Sequence, residues 1–319
     1  MKAPARHHPS SPCAARGRRA ASALPVLLAL AATVWQVLAA GPPSPPVLVV
    51  NSDAAVAKYR EVQETFKETL GDGALTALDL SKVGEAGVRR ALAQQPGVIY
   101  CIGGNAYQTA AKLTKGKSII LSTAINWERF KVDPRTTRVI ANELPAVQQL
   151  TLFRHFFPKL QRVGVVYNPA INKQWLAQAV AAGKEVGIEV IGRAVTRSSA
   201  VGAALAELTT KVDALWLTPD PVVLESEAVV QRYFASADAA RKPVFAYAAV
   251  YAELGATLVL APDMPTVGRQ AASVAQDFAG APAVSTPGGS EVTLNLKRVQ
   301  QYGLAFNREA LDAVNNLLR

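Results

Sequence analysis

The sequence predicts an α/β chain of two doubly wound lobes, each built on a parallel sheet and joined by a multi-strand hinge. Three observations carry that expectation. Continuous apolar runs such as Val47-Leu48-Val49-Val50 and Val98-Ile99-Tyr100-Cys101-Ile102 have the composition of strands buried on both faces. Each run ends in small polar or glycine residues and is followed by a helical pattern, the rhythm of a parallel sheet. That rhythm runs once to about residue 145 and restarts near Arg162, dividing the 319 residues between two cores.

The elements follow in order. After the strand 47–50, Ser52 or Asp53 is placed to cap a helix whose apolar residues Val56, Tyr59, Val62, Phe66 and Leu70 keep helical spacing. Gly71-Asp72-Gly73 ends it. Next come a strand near 75–80, a helix near 85–95, the strand 98–102, a helix over 105–115, and strands at 118–121 and 138–142. Pro145 suits the first turn of a bridging helix that runs to about Phe157. The second series reads strand 162–167, helix 173–186, strand 188–191, helix 200–210, strand 214–217, helix 223–239, and strands 244–246 and 256–260. Thr266 to Phe278 reads as a helix, Gly280 to Pro287 as a loop, Glu291 to Leu296 as a strand and Arg308 to Leu318 as a last helix. These pieces exceed what one lobe needs, so they are expected to recross the hinge. The expected division is 47–145 with 263–282 for lobe 1, and 146–262 with 283–319 for lobe 2.

The first 40 residues read as an export signal. They carry Lys2, Arg6, Arg16, Arg18 and Arg19 with no acidic residue, then an apolar stretch from Ala20 that closes on Ala39-Ala40. An uncleaved anchor is the alternative. Ser22, Pro25, Thr33 and Gln36 dilute the apolar stretch, and its small-residue end favours removal. Residues 41–46 (Gly41-Pro42-Pro43-Ser44-Pro45-Pro46) form a proline-rich tether. The leader holds half of the net charge of +10, and no basic run follows it, which argues against nucleic acid. The expected location is the periplasm.

Few side chains are available for catalysis. His7, His8 and Cys13 belong to the leader, leaving His155 on the bridging helix and Cys101 inside a strand. One histidine and one cysteine cannot assemble the usual zinc ligand sets. No GxSxG elbow, HExxH pair or Walker loop is present. Gly103-Gly104 is only a fragment of a dinucleotide fingerprint, so neither an enzyme nor a cofactor is expected.

The same strand ends suit noncovalent binding, because ligands of open parallel sheets lie beyond the carboxyl ends of the strands. Gly104 and Asn105 would offer backbone N–H groups and a helix N-terminus to an anionic group. Ser52, Ser122 and Thr123 offer hydroxyls, and Asn51, Asn142 and Asn168 offer amides. Asp220 is the acid at such a position and would hold a cationic or N–H-bearing group, so Asp220→Ala should weaken binding without touching the fold. Tyr107, Trp127 and Tyr247 would add stacking surface, with Tyr247 foremost, whereas Trp216 reads as core. The alternative for each polar residue is a plain cap or turn former.

Several segments carry a family resemblance. Val163-Gly164-Val165-Val166-Tyr167-Asn168-Pro169, Val212 to Asp220 and Lys242-Pro243-Val244-Phe245-Ala246 resemble the second lobe of ABC-transporter substrate-binding proteins. Gly268-Arg269-Gln270-Ala271-Ala272 and Leu294-Asn295-Leu296-Lys297 follow in the same order as in that family. The resemblance is to the branch related to tryptophan- and tyrosine-binding proteins. It implies the type I periplasmic-binding-protein fold with three interlobe crossings. It also implies a small ligand in the cleft, contacted at Asn168 and Asp220, and an ABC permease as partner to a monomeric receptor. After Phe245-Ala246 the amino-acid-binding relatives carry acidic residues, where this chain has Tyr247-Ala248-Ala249. A sensory module serving a sensor kinase would use the same cleft.

Overall fold

Apolar runs become central strands and their flanking patterns become covering helices. The computed structural model describes residues 46–71 and 74–319, so the leader, most of the tether, His7, His8 and Cys13 lie outside the described residues. In the first sheet, β1 (Val47–Asn51) is buried along its whole length between β2 (Leu75–Asp79) and β3 (Val98–Ile102). The sheet continues through β4 (Ser118–Ser122) and β5 (Thr137–Ile140), and every neighbouring pair is parallel. Alternate residues serve opposite faces. Val47, Val49, Val98 and Tyr100 meet α1 (Ala57–Leu70), while Leu48, Val50, Ile99 and Cys101 pack with α2 (Leu80–Leu92) and α3 (Gly104–Leu113).

α4 (Ala146–Phe156) leads into the second sheet, with Pro145 as its N-cap residue. There β6 (Arg162–Tyr167) lies between β7 (Glu189–Ala194) and β8 (Ala214–Trp216), followed by β9 (Val244–Ala246) and β10 (Leu258–Pro262). Its helices are α5 (Pro169–Val186), α6 (Val201–Thr209), α7 (Glu227–Ala239) and the single turn α8 (Val250–Glu253). The chain then recrosses. α9 (Met264–Gln276) returns to pack on α1, and β11 (Val284–Ser285) pairs with β5. β12 (Ser290–Asn295) goes back to pair antiparallel with β10. With the passage from β5 to α4, that makes three crossings between the sheets.

Three local expectations need correction. The segment 308–318 is not a helix: a 3-10 turn over Arg308–Ala313 is followed by β13 (Asn316–Leu318), which pairs parallel with β12. Its apolar spacing fits a helix, but the open edge of β12 offers unpaired backbone groups, and that pairing decides the local structure. Val284–Ser285 in the expected loop form a strand of the first sheet, although the boundary at 283 would put them in the second lobe. Between β2 and β3 the helix begins at Leu80, but Gly84 breaks it with φ 60°, so the expected start at Glu85 coincides with the kink. Short α10 (Leu296–Tyr302) completes the second lobe.

Cys101 is fully buried and free, and burial pushes its thiol pKa up, so it packs as a small apolar residue. The contact of α1 with α9 depends on Gly268. A Cβ there would stand 2.7 Å from the Val62 carbonyl oxygen and 3.1 Å from the Phe66 nitrogen. Backbone cannot yield as a side chain can, so Gly268→Val should separate the helices and cost roughly 1–3 kcal/mol in a urea melt. Gly202→Ala on α6, where a Cβ meets nothing within 4 Å, should instead stabilise by about 0.5–1 kcal/mol.

Candidate functional site

The two sheets reverse strand order at β1/β3 and β6/β8, and the segments after β4 and β8 meet. Asn126, in the segment after β4, donates from Nδ2 to the carbonyl oxygen of Pro219, after β8, at 2.8 Å. Between the lobes lies a cavity of about 370 Å³, walled by residues from both. The first lobe contributes Asn126 to Arg129 and Asn142 to Leu144; the second contributes one face of α5, Trp216 to Pro219, and Tyr247.

Of the residues the sequence nominates, Trp127, Asn142 and Tyr247 line this cavity, while Asn51, Ser52, Gly104, Asn105, Ser122, Thr123, Asn168 and Asp220 sit off its wall. Their hydrogen bonds show what holds them. Asn51 Nδ2 donates to the Tyr59 carbonyl oxygen and to Gln63 Oε1, while its Oδ1 accepts from the Asp53 N–H. Ser52 Oγ donates to the Ile102 carbonyl oxygen and accepts the Ala106 N–H at 3.0 Å, tying β1 to the start of α3. Gly104 is covered by Phe130, whose ring would stand 2.7 Å from a Cβ, so the expected anion cradle is filled by an aromatic side chain. Asn105 is exposed on the first turn of α3. Ser122 shares a buried hydrogen bond with the Tyr100 hydroxyl at 2.7 Å, and Thr123, at φ 55°, donates to the Ser122 carbonyl oxygen. Asn168 caps α5 through Ala170.

Asp220 is fully buried and all its acceptor capacity is engaged. It accepts from the Asn168 N–H at 2.6 Å, Asn172 Nδ2 at 2.7 Å, and the Val222 and Val223 N–H groups at 2.9 and 3.2 Å. The carboxylate thus ties β6, α5 and its own turn together. Tyr107 is likewise a core residue, buried with its ring centroid 5.6 Å from that of Phe130, and not a cleft aromatic.

The rest of the cavity's chemistry comes from residues outside the nominated set. Trp175 and Trp216 join Trp127, so that three indoles share its wall with Tyr247. Trp216 is also core, with its Nε1 donating to Gln149 Oε1 at 3.2 Å. Thr218 is 3% exposed and its hydroxyl has no partner among the described residues. An unpaired buried hydroxyl carries a free-energy cost that a ligand group can relieve. Glu143 is the half-buried acid. Burial pushes its carboxyl up to about 7; the Asn126 N–H, donating at 3.0 Å, opposes the rise, and the Glu128 carboxylate adds to it. Burial holds Lys58, on α1, below the ordinary lysine range, and the charge of Glu143 partly restores it.

Comparison with known proteins agrees with this geometry. Residues 50–315 match the family described as ABC transporter substrate binding protein. The chain belongs to that family. Its fold is the type I periplasmic-binding-protein fold, which solved structures share at low identity. The ABC domain of a Streptococcus pneumonia protein in complex with L-Trp is 18% identical (TM-score 0.57), covering 85% of this chain and all of that one. The ligand-free, open structure of a Clostridium difficile substrate binding protein with adhesive properties is 16% identical (TM-score 0.67), covering 86% and 99%. A conserved domain protein from Vibrio cholerae is 19% identical (TM-score 0.59), covering 85% and 99%. A search of curated proteins finds no match. Among the described residues of this substrate-binding protein, no helix is long and apolar enough to cross a membrane.

Proposed function

We propose that this protein is an exported, periplasmic, monomeric receptor that closes on one small organic ligand and delivers it to an ABC permease without chemical turnover. The observation that carries the proposal is a cavity with walls from both lobes, bridged by the bond from Asn126 to Pro219. A ligand touching both walls favours the closed arrangement over the open one, and that difference in affinity drives the hinge. A volume of about 370 Å³ suits a single small molecule of amino-acid size. The partly apolar, indole-rich wall supports an organic body, while Thr218 and the side-chain amide of Asn142 supply directional contacts.

A thermal-shift screen of the purified protein against amino acids, amines, nucleosides and small organic acids tests this directly. A ligand at one hundred times its Kd stabilises by about 2.7 kcal/mol, which should raise Tm by roughly 5–10 °C. The same ligand should alter tryptophan emission, because three indoles line the cavity. If no compound moves either signal, the receptor proposal fails. If the ligand binds but cells lacking the permease take it up normally, the delivery step fails and a sensory partner takes its place.

A further inference from the structure

We propose that the cavity selects a small organic cation, a protonated amine on an apolar or aromatic body, whose ammonium donates to Glu143 against the ring of Tyr247. This inference rests on the receptor function and names its substrate class. Glu143 lines the cavity without forming an ion pair among the described residues; the donors near it, the Asn126 N–H at 3.0 Å, its own N–H and the Asn142 side chain, are all neutral, so its charge has no salt-bridge partner. The groups around it are Lys58 from α1, Glu128 beside Asn126, the neighbouring Asn142, and Tyr247 from the opposite lobe. Aromatic faces favour a cation over a neutral or anionic group. Thr218, buried with its hydroxyl unpartnered, supplies a second acceptor on the opposite wall.

The places where a carboxylate could dock are closed. The start of α3 is covered by Phe130 and tied to Ser52. The start of α5 is already compensated by the Asp220 carboxylate, which takes the Asn168 N–H and the Asn172 amide. Of the charged residues on the wall, Glu128 and Arg129 are both exposed and offset one another, which leaves Glu143 as the half-buried charge. An ammonium is therefore matched, and a carboxylate beside it is not.

Binding requires the ionised carboxylate. The Glu143 carboxyl of the ligand-free protein titrates near 7, so acid removes the competent form. Affinity for an amine should fall about thirtyfold from pH 8 to pH 5.5, the factor by which the ionised fraction drops. Near pH 7, binding should release protons, visible as a buffer-dependent heat in calorimetry.

The test uses three probes that share an indole body and differ in the charged groups they carry: tryptamine, L-tryptophan and indole-3-acetate. Tryptamine should bind at least tenfold tighter than either of the others, with the stated pH dependence. Glu143→Gln should abolish that preference, and Glu143→Asp should restore part of it. The Gln variant must fold for this to count. The carboxyl's folded pKa lies above its unfolded value, so the folded protein loses stability as pH rises from about 4.5 to 7. Glu143→Gln avoids that loss, and its ligand-free Tm at pH 8 should equal or exceed the parent's. L-tryptophan binding as tightly as tryptamine, or tryptamine binding unchanged in Glu143→Gln, overturns the cation inference while the receptor function stands. If none of the three binds, the broader screen decides: an amine as its best hit, lost in Glu143→Gln, supports the inference, and any other best hit overturns it. A screen without any hit ends the receptor function as well.

Discussion

Asp220→Ala is expected to destabilise the protein by about 3–5 kcal/mol, lowering Tm by on the order of 10 °C. The carboxylate has no exposed surface and accepts four hydrogen bonds, two from the start of α5 and two from its own turn. Alanine leaves these donors unpaired. Burying an unsatisfied donor costs about 1–3 kcal/mol, but Asn172 borders the cavity and can find water there. The total is therefore well below the sum of four separate losses. Asp220→Asn separates charge from shape. Its Oδ1 can keep the Val222 and Val223 N–H groups, while its amide faces two donors, Asn168 N–H and Asn172 Nδ2. Asn172 can turn its amide to offer oxygen, but the Asn168 N–H cannot, so an intermediate loss of about 1–3 kcal/mol is expected. Urea melts of the ligand-free variants decide the matter. An Asp220→Ala protein with unchanged stability and lost binding would return this residue to the ligand-contacting role that sequence reasoning gave it.

That reversal shows how much of the site was legible. An acid after an apolar strand is marked by position alone, and the position is correct: Asp220 follows β8 at the point where strand order reverses. The sequence does not show who faces it. Asn168 and Asn172 lie about fifty residues earlier and reach it only through the packing of α5 beside β8. The central strands were legible because burial on both faces leaves a continuous apolar run, as in Val98–Ile102. β13 was not, because an edge strand is fixed by its neighbour's open backbone, while the apolar spacing of its own segment reads as a helix. Glu143 was within reach. It stands one residue past Asn142, which was read as a strand-end amide, and only the turn of the chain toward α4 brings it to the cavity. Trp175 was hidden more deeply, since an aromatic on the inner face of a helix looks the same whether it meets core or ligand.

Trp216 combines both of those roles, and its replacement should have the second large effect. The side chain is 1% exposed, meets Phe153 and Trp175 edge-on with centroids at 5.3 and 4.9 Å, and donates to Gln149. Trp216→Ala should cost about 3–5 kcal/mol through lost contacts and the void left behind. It also orphans Gln149 Oε1, a buried acceptor, while Gln149 Nε2 stays bound to the Leu144 carbonyl oxygen. Because the void opens into the binding cavity, ligand affinity should fall together with stability. Trp127 provides the contrast. It is half-buried on a 3-10 turn that borders the same cavity, with no place among the fully buried residues. Trp127→Ala should change stability by less than about 1 kcal/mol yet weaken ligand binding at least tenfold, an effect of about 1.4 kcal/mol. Paired melts and titrations of the two variants separate wall from core. If Trp127→Ala binds as the parent does while Trp216→Ala loses both properties, the indoles of this cleft act as packing alone and the ligand contacts lie elsewhere on its wall.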